Sequence, residues 1–153
     1  MKTIVVIPAY EPDEKLVKLT AELVAKNLLV VVVDDGSGQK YLNIFEQLAG
    51  AKILRHPKNM GKGAALKTAF KYIKETFSGR NFAVVTADSD GQHSPDDIVR
   101  VAARASLDED SLVIGVRNFD GEKVPLRSKL GNKITLKVFQ ITSGSNIGDT
   151  QTG

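Results

Sequence analysis

Apolar and polar positions along this chain fall into two alternating rhythms. Runs with almost no polar interruption occupy Lys2–Ile7, Leu28–Val33, Lys52–Arg55, Phe82–Ala87 and Leu112–Val116. Short Val- and Ile-rich runs of this kind read as strands covered on both faces, because a strand with one wet face would alternate instead. Between them the apolar residues recur every three to four positions. Leu16, Leu19, Leu23 and Val24 mark a helix over Asp13–Lys26, and Leu42, Phe45 and Leu48 a short one over Tyr41–Leu48. Leu66, Ala69, Phe70 and Ile73 mark a long helix over Lys62–Phe77. A further helix, Pro95–Ala105, opens on a proline in its first turn, with Ser94 as its cap. Strand and helix in strict alternation predict an α/β fold with a mainly parallel sheet flanked by helices.

Ligands of such sheets bind beyond the carboxyl ends of the strands. The polar motifs of this chain stand at those ends: Pro8-Ala9-Tyr10-Glu11, Asp34-Asp35-Gly36-Ser37, Asp88-Ser89-Asp90 and, after the fifth strand, Arg117. The Asp88-Ser89-Asp90 pair is the most informative. Alternate strand residues point the same way, so two carboxylates one residue apart can converge just past a strand end. Oxygen ligands there suit a hard cation such as Mg²⁺ or Mn²⁺ that already carries phosphates. Taken alone, the same residues also fit a plain turn at Gly91, or the Asp-x-Asp-Gly nucleophile of a haloacid-dehalogenase-type phosphatase. That motif normally stands on the first strand with Thr or Val after the glycine, whereas here it is mid-chain and followed by Gln92. Gly61-Lys62-Gly63 is no P-loop, since His56 and Gly63 occupy the places of the required Gly and Ser/Thr. Gly36-Ser37-Gly38 lacks the third glycine of a dinucleotide fingerprint and follows the second strand.

From Pro125 the pattern changes. Leu130, Ile134, Val138 and Ile141 form one stripe, with Lys129, Lys133 and Lys137 beside it. A basic amphipathic helix over 125–142 follows, serving either as a surface helix packed on the core or as an interfacial membrane contact.

The 153 residues suit one domain with a substantial core. Cysteine is absent, which excludes disulfides and thiolate metal sites and agrees with a cytoplasmic location. The net charge of +3 is too small to argue for nucleic acid, and the basic–aromatic interleaving of single-strand binders is missing. No apolar run approaches the length of a membrane span.

Together, Val6-Ile7-Pro8-Ala9-Tyr10, Val33-Asp34-Asp35-Gly36-Ser37, Asn59-Met60-Gly61-Lys62-Gly63-Ala64-Ala65, Asp88-Ser89-Asp90-Gly91-Gln92-His93 and Asp149-Thr150-Gln151-Thr152-Gly153 resemble the family 2 glycosyltransferases. The resemblance is to the dolichol-phosphate mannosyltransferase-like branch, which charges polyprenyl phosphates. It implies a GT-A (Rossmann-like) fold, a nucleotide-sugar donor such as a UDP- or GDP-sugar, Mg²⁺ or Mn²⁺, and a lipid phosphate acceptor. It also implies work at the cytoplasmic face of a membrane, with peripheral membrane contact, and it implies no nucleic acid partner. Carried over by position, Pro8, Tyr10 and Glu11 border the base and ribose, Asp35 contacts that region, and Lys62 and Gly63 lie near the nucleotide. Asp88 faces the sugar or metal, Asp90 is the principal metal ligand and Gln92 is close by; His93 and His56 belong to the framework. Arg117, Arg127 and Lys129 match the basic positions that receive the acceptor phosphate, and Asp149 is a candidate base or positioning residue. The whole of 1–153 is then one catalytic domain, and its end inside a motif leads us to expect a truncated domain. Three other outcomes stay open at this point: transfer to a glycan hydroxyl, the phosphatase, and a non-catalytic nucleotide-sugar-binding module.

Overall fold

A computed structural model describes residues 2–80 and 82–105, with Leu107 and Val113. Strands β1 (Lys2–Ala9), β2 (Leu29–Asp34), β3 (Lys52–Arg55) and β4 (Phe82–Thr86) alternate with helices α1 (Glu14–Ala25), α2 (Leu42–Glu46), α3 (Lys62–Thr76) and α4 (Pro95–Ala105). Among the described residues the sheet is parallel throughout, in the order β3-β2-β1-β4. This is the α/β, Rossmann-like arrangement that the alternation predicts.

Both faces of the sheet are covered, which is why its strands are apolar without alternation. Val5, Ile7, Ala9, Val30, Val32 and Val85 pack with Leu16, Leu19, Leu23, Phe45 and Ile98 from α1, α2 and α4. On the other face Ile4, Val6, Val31 and Val33 meet Ala65, Ala69 and Ile73 of α3.

The order of the strands has a consequence for ligands. From β1 the chain proceeds outward through β2 and β3, then α3 carries it back across to β4 on the other side of β1. The switch point of the sheet therefore lies between the carboxyl ends of β1 and β4. The two strands part there: β4 pairs with β1 only as far as Val6↔Thr86, whereas β1 follows β2 to Ala9↔Asp34. Pro8 has no N–H to donate and stands beyond the last β1–β4 pair, where its proline breaks no ladder.

Two helices depart from their expected form. A 3-10 turn over Gln39–Tyr41 precedes α2, so the short helix is split, and Leu42 is exposed while Ile44, Phe45 and Leu48 are buried. In α3 the residues against the sheet are the small Ala65 and Ala69 with Ile73, and Phe70 is exposed. The expected fifth strand at Leu112–Val116 and the amphipathic helix at 125–142 lie outside the described residues, Val113 excepted.

Candidate functional site

Three loops leave the carboxyl ends of the strands and are tied together by specific bonds. The loop after β1 carries Tyr10, half-exposed, and Glu11, whose φ of +49° puts a non-glycine residue in the left-handed region. A residue in that region immediately before a proline is strained, and Pro12 follows. The Glu11 N–H donates to Ser37 Oγ at 3.0 Å, and the Asp35 N–H donates to the Ala9 carbonyl at 2.8 Å. The first two loops are thereby one unit.

After β2, Asp34 and Asp35 are both buried, and each serves the backbone. Asp34 Oδ1 accepts from the Ser37 N–H at 2.9 Å, closing an Asx turn, and its Oδ2 lies 3.7 Å from Arg55 Nε. Asp35 pins the loop that leads into α3. Its Oδ1 accepts from the Met60 N–H at 3.0 Å and from His56 Nδ1 at 2.6 Å, and its Oδ2 from the Gly61 N–H at 2.8 Å. Because a carboxylate only accepts, His56 carries its proton on Nδ1; its Nε2 lies 2.8 Å from Thr68 Oγ1 on α3. Burial opposes ionisation of Asp35, yet the bonds from Met60, His56 and Gly61 outweigh it and hold the carboxyl below its usual value of 3.8. His56 is thus a framework residue, as its setting in Arg55-His56-Pro57 suggests.

The loop after β4 is built differently. The strand ends at Thr86, so strand alternation does not reach Asp88 and Asp90, and Gly91 turns the chain at φ +76°. Asp88 Oδ1 lies 2.7 Å from Lys62 Nζ at the start of α3, and its Oδ2 is 3.7 Å from His93 Nε2. Asp90 is exposed and takes the Gln92 N–H on Oδ1 at 3.0 Å and Gln92 Nε2 on Oδ2 at 2.6 Å. The structure thus pairs Asp88 with Lys62 and His93, and Asp90 with Gln92. The approach of Lys62 to Asp88 is not legible in the sequence, since nothing in local spacing links residue 62 to residue 88. The one hint was that both motifs fall at carboxyl ends of the sheet.

The side chains that could hold a divalent cation are Asp88, Asp90 and Gln92. Among the described residues there is no cluster of three or more His, Cys, Asp and Glu of metal-binding form. A cation held by one or two carboxylates, with water and substrate phosphates completing its shell, is how Mg²⁺ commonly binds. The hard oxygen donors of this loop fit Mg²⁺ or Mn²⁺ in that manner. Arg117, Arg127, Lys129 and Asp149 lie outside the described residues.

Fold and rim together define a Rossmann-like α/β protein with acidic and basic groups gathered beside its switch point. Comparison with known proteins makes the class specific. The chain belongs to glycosyl transferase family 2, whose model matches residues 4–150. It is 32% identical to an uncharacterised protein of Methanocaldococcus jannaschii, over 97% of this chain and 61% of that protein. It is 29% identical to UDP-N-acetylglucosamine–dolichyl-phosphate N-acetylglucosaminyltransferase of Methanococcus voltae, over 97% of this chain and 66% of that one. With undecaprenyl-phosphate 4-deoxy-4-formamido-L-arabinose transferase of Enterobacter sp. (strain 638) the identity is 28%, over 97% of this chain and 46% of the relative. The chain thus spans less than two thirds of the length of these relatives. In fold it is similar to the crystal structure of 4-diphosphocytidyl-2C-methyl-D-erythritol synthase, with a TM-score of 0.61 at 14% identity, covering 79% of this chain and 65% of that one. Among the described residues no helix is long and apolar enough to cross a membrane.

Proposed function

We propose that this chain belongs to a glycosyltransferase that moves one sugar from a nucleotide-sugar to a polyprenyl phosphate, with inversion, at the cytoplasmic face of a membrane. The observation that carries the reading is the Lys62–Asp88 pair at the carboxyl ends of the sheet, beside its switch point, with Asp90 and Gln92 two and four residues further along the same loop. Family membership and the two relatives named for dolichyl and undecaprenyl phosphates support it.

In this reading Pro8, Tyr10 and Glu11 border the base and ribose. Asp35 Oδ2 accepts one hydrogen bond where Oδ1 accepts two, so it retains acceptor capacity toward that part of the donor. Lys62 and the backbone at Gly63 serve the diphosphate. Asp88, Asp90 and Gln92 hold Mg²⁺ or Mn²⁺, which when bound stabilises the charge gathering on the departing diphosphate. A phosphate oxygen of the acceptor forms the new bond to the anomeric carbon from the face opposite the leaving group. The C–O bond to the diphosphate breaks, and the nucleoside diphosphate leaves with its electron pair. A phosphate monoester has a second pKa of about 6, so it is already anionic and needs cations to position it rather than a base to activate it. Arg117, Arg127 and Lys129 take that role, Arg through its bidentate fork. Asp149 acts as a base or positions the donor sugar.

Calorimetry with UDP- and GDP-sugars, with and without Mn²⁺, tests the donor half. Binding is expected to require the metal and to weaken at least tenfold in Asp90→Asn; unchanged affinity in that variant would sink the metal role. Transfer to a short-chain polyprenyl phosphate tests the acceptor, and transfer only to a sugar hydroxyl would contradict it.

A further inference from the structure

Asp88 and Asp90 have different partners, although they stand one residue apart. Asp90 is occupied by its neighbour Gln92, a neutral amide. Asp88 instead faces an ammonium group from a distant part of the chain, Lys62 Nζ, 2.7 Å from Oδ1. This pair is not needed to fix the start of α3. The Gly61 N–H is already anchored to Asp35 Oδ2 at 2.8 Å, one residue before Lys62. Nor is it buried: the side chains of Lys62 and Asp88 are 44% and 29% exposed, and exposed pairs contribute little to stability. The contact is therefore exchangeable, and it sits on the carboxylate that the proposed function gives to the metal.

A divalent cation on the same oxygen would stand within a few ångströms of the ammonium, and like charges at that range repel even where water screens them. We propose that Lys62 and the divalent cation are alternative partners of Asp88, so that metal loading releases the Lys62 ammonium to the phosphates of the donor. The inference rests on the reading of the site as a metal–donor site and adds an order to it. Lys62 weakens metal binding in the absence of nucleotide and strengthens nucleotide binding in the presence of metal. The positive charge lost from Asp88 is replaced by the metal, and the flexible four-carbon stem of lysine lets the ammonium move without the helix moving.

Mn²⁺ titrations of the whole chain followed by electron paramagnetic resonance, and UDP and GDP titrations at saturating Mn²⁺, test this. In Lys62→Met, Mn²⁺ alone should bind about fivefold more tightly, the fold-change that corresponds to an exposed ion pair. Nucleoside diphosphate binding with Mn²⁺ should weaken about tenfold in the same variant, through loss of a charge-assisted contact. Lys62→Arg keeps the charge and should stay within about twofold of the parent in both. A merely structural role would weaken both affinities together. If Mn²⁺ affinity is unchanged or weaker in Lys62→Met while the parent chain binds nucleotide with Mn²⁺, the inference is overturned and the proposed function stands. If the parent chain binds no nucleoside diphosphate with Mn²⁺, the proposed function falls and takes the inference with it.

Discussion

At Gly36 two constraints coincide: its φ is +75°, and an added Cβ would lie 2.2 Å from the Lys58 carbonyl carbon and 2.5 Å from the Asn59 nitrogen. Those neighbours are backbone atoms and cannot turn aside as a side chain would. Gly36→Ala should therefore cost about 3 kcal/mol, from left-handed strain and overpacking together, and equilibrium urea unfolding would measure it. Because Lys58 and Asn59 precede the segment held by Asp35, donor affinity should fall in the same variant. Asp35 has the larger role in that segment. Asp35→Asn would replace one carboxylate oxygen by an NH₂ that faces either the Gly61 N–H or the Met60 and His56 donors, with an expected loss of about 2 kcal/mol or more at pH 7. The pH dependence follows from the direction of the shift. A carboxyl held below its unfolded value stabilises the fold at every pH above 3.8, and that contribution disappears as the pH falls from 3.8 through the lower folded value. The parent chain should thus lose stability across that acid window. Asp35→Asn, already weakened at pH 7, should show a flatter profile there in the same urea series.

Helix α4 shows how an element's boundary is encoded in a few polar atoms. Ser94 Oγ accepts from the Asp97 N–H at 3.1 Å and donates to Asp97 Oδ2 at 2.7 Å, and the Ser94 carbonyl accepts from the Ile98 N–H. Asp97 also meets Arg100, and the Ser94 and Arg100 contacts hold its carboxyl below the usual range. Ser94→Ala should cost about 1 kcal/mol of stability, read from thermal or urea unfolding, with the loss concentrated at the start of α4. This cap is legible in the sequence because Ser before Pro at the first turn is a local signal. The departures in α2 and α3 are not local. The expected inner stripe of α3 is Leu66, Ala69, Phe70 and Ile73, of which Ala69 and Ile73 are buried and Leu66 packs partly buried beside them. The departure is Phe70: the sheet takes Ala65 with Ala69 and Ile73, since two alanines let the helix backbone approach closely, and Phe70 is left exposed, about 100° round the helix from Ala69. In α2 a positive φ of 83° at Gly38 starts a 3-10 turn, which rotates Leu42 outward. The choice between small and large residues on a helix depends on the facing sheet, which no window of sequence contains.

At the scale of the whole molecule, strands and their order of appearance can be read from apolar runs, because burial on both faces leaves a plain compositional mark. Among the described residues the motifs themselves are also legible, since those after β1, β2 and β4 each fall at a carboxyl end. Their pairings are not: Lys62 with Asp88, and Asp35 with His56 and Gly61, depend on strand order, which places residues distant in sequence on one rim. That order also divides the rim into two kinds of wall. The loops after β1, β2 and β3 are cross-linked through Ser37, Asp34 and Asp35, with the N–H groups of Asp35, Ser37, His56, Met60 and Gly61 all bonded within the chain. Beyond the Ala87 N–H bond to the Val6 carbonyl and the approach of His93 to Asp88, the loop after β4 is held by the exposed Gln92–Asp90 bonds and by the half-exposed Lys62–Asp88 pair, both of which a cation or a phosphate can replace. Donor binding should then leave the first wall as it is and reorganise the second. Hydrogen–deuterium exchange with Mn²⁺ and a UDP- or GDP-sugar should show protection rising most in peptides covering 87–94. Peptides covering 34–37 and 56–61 should be slow to exchange beforehand and change little. Large new protection at 34–37 and 56–61 would mean that Asp35 does not preform this wall, and the donor would then have to order all three loops itself, at a cost in affinity that a pre-bonded rim avoids.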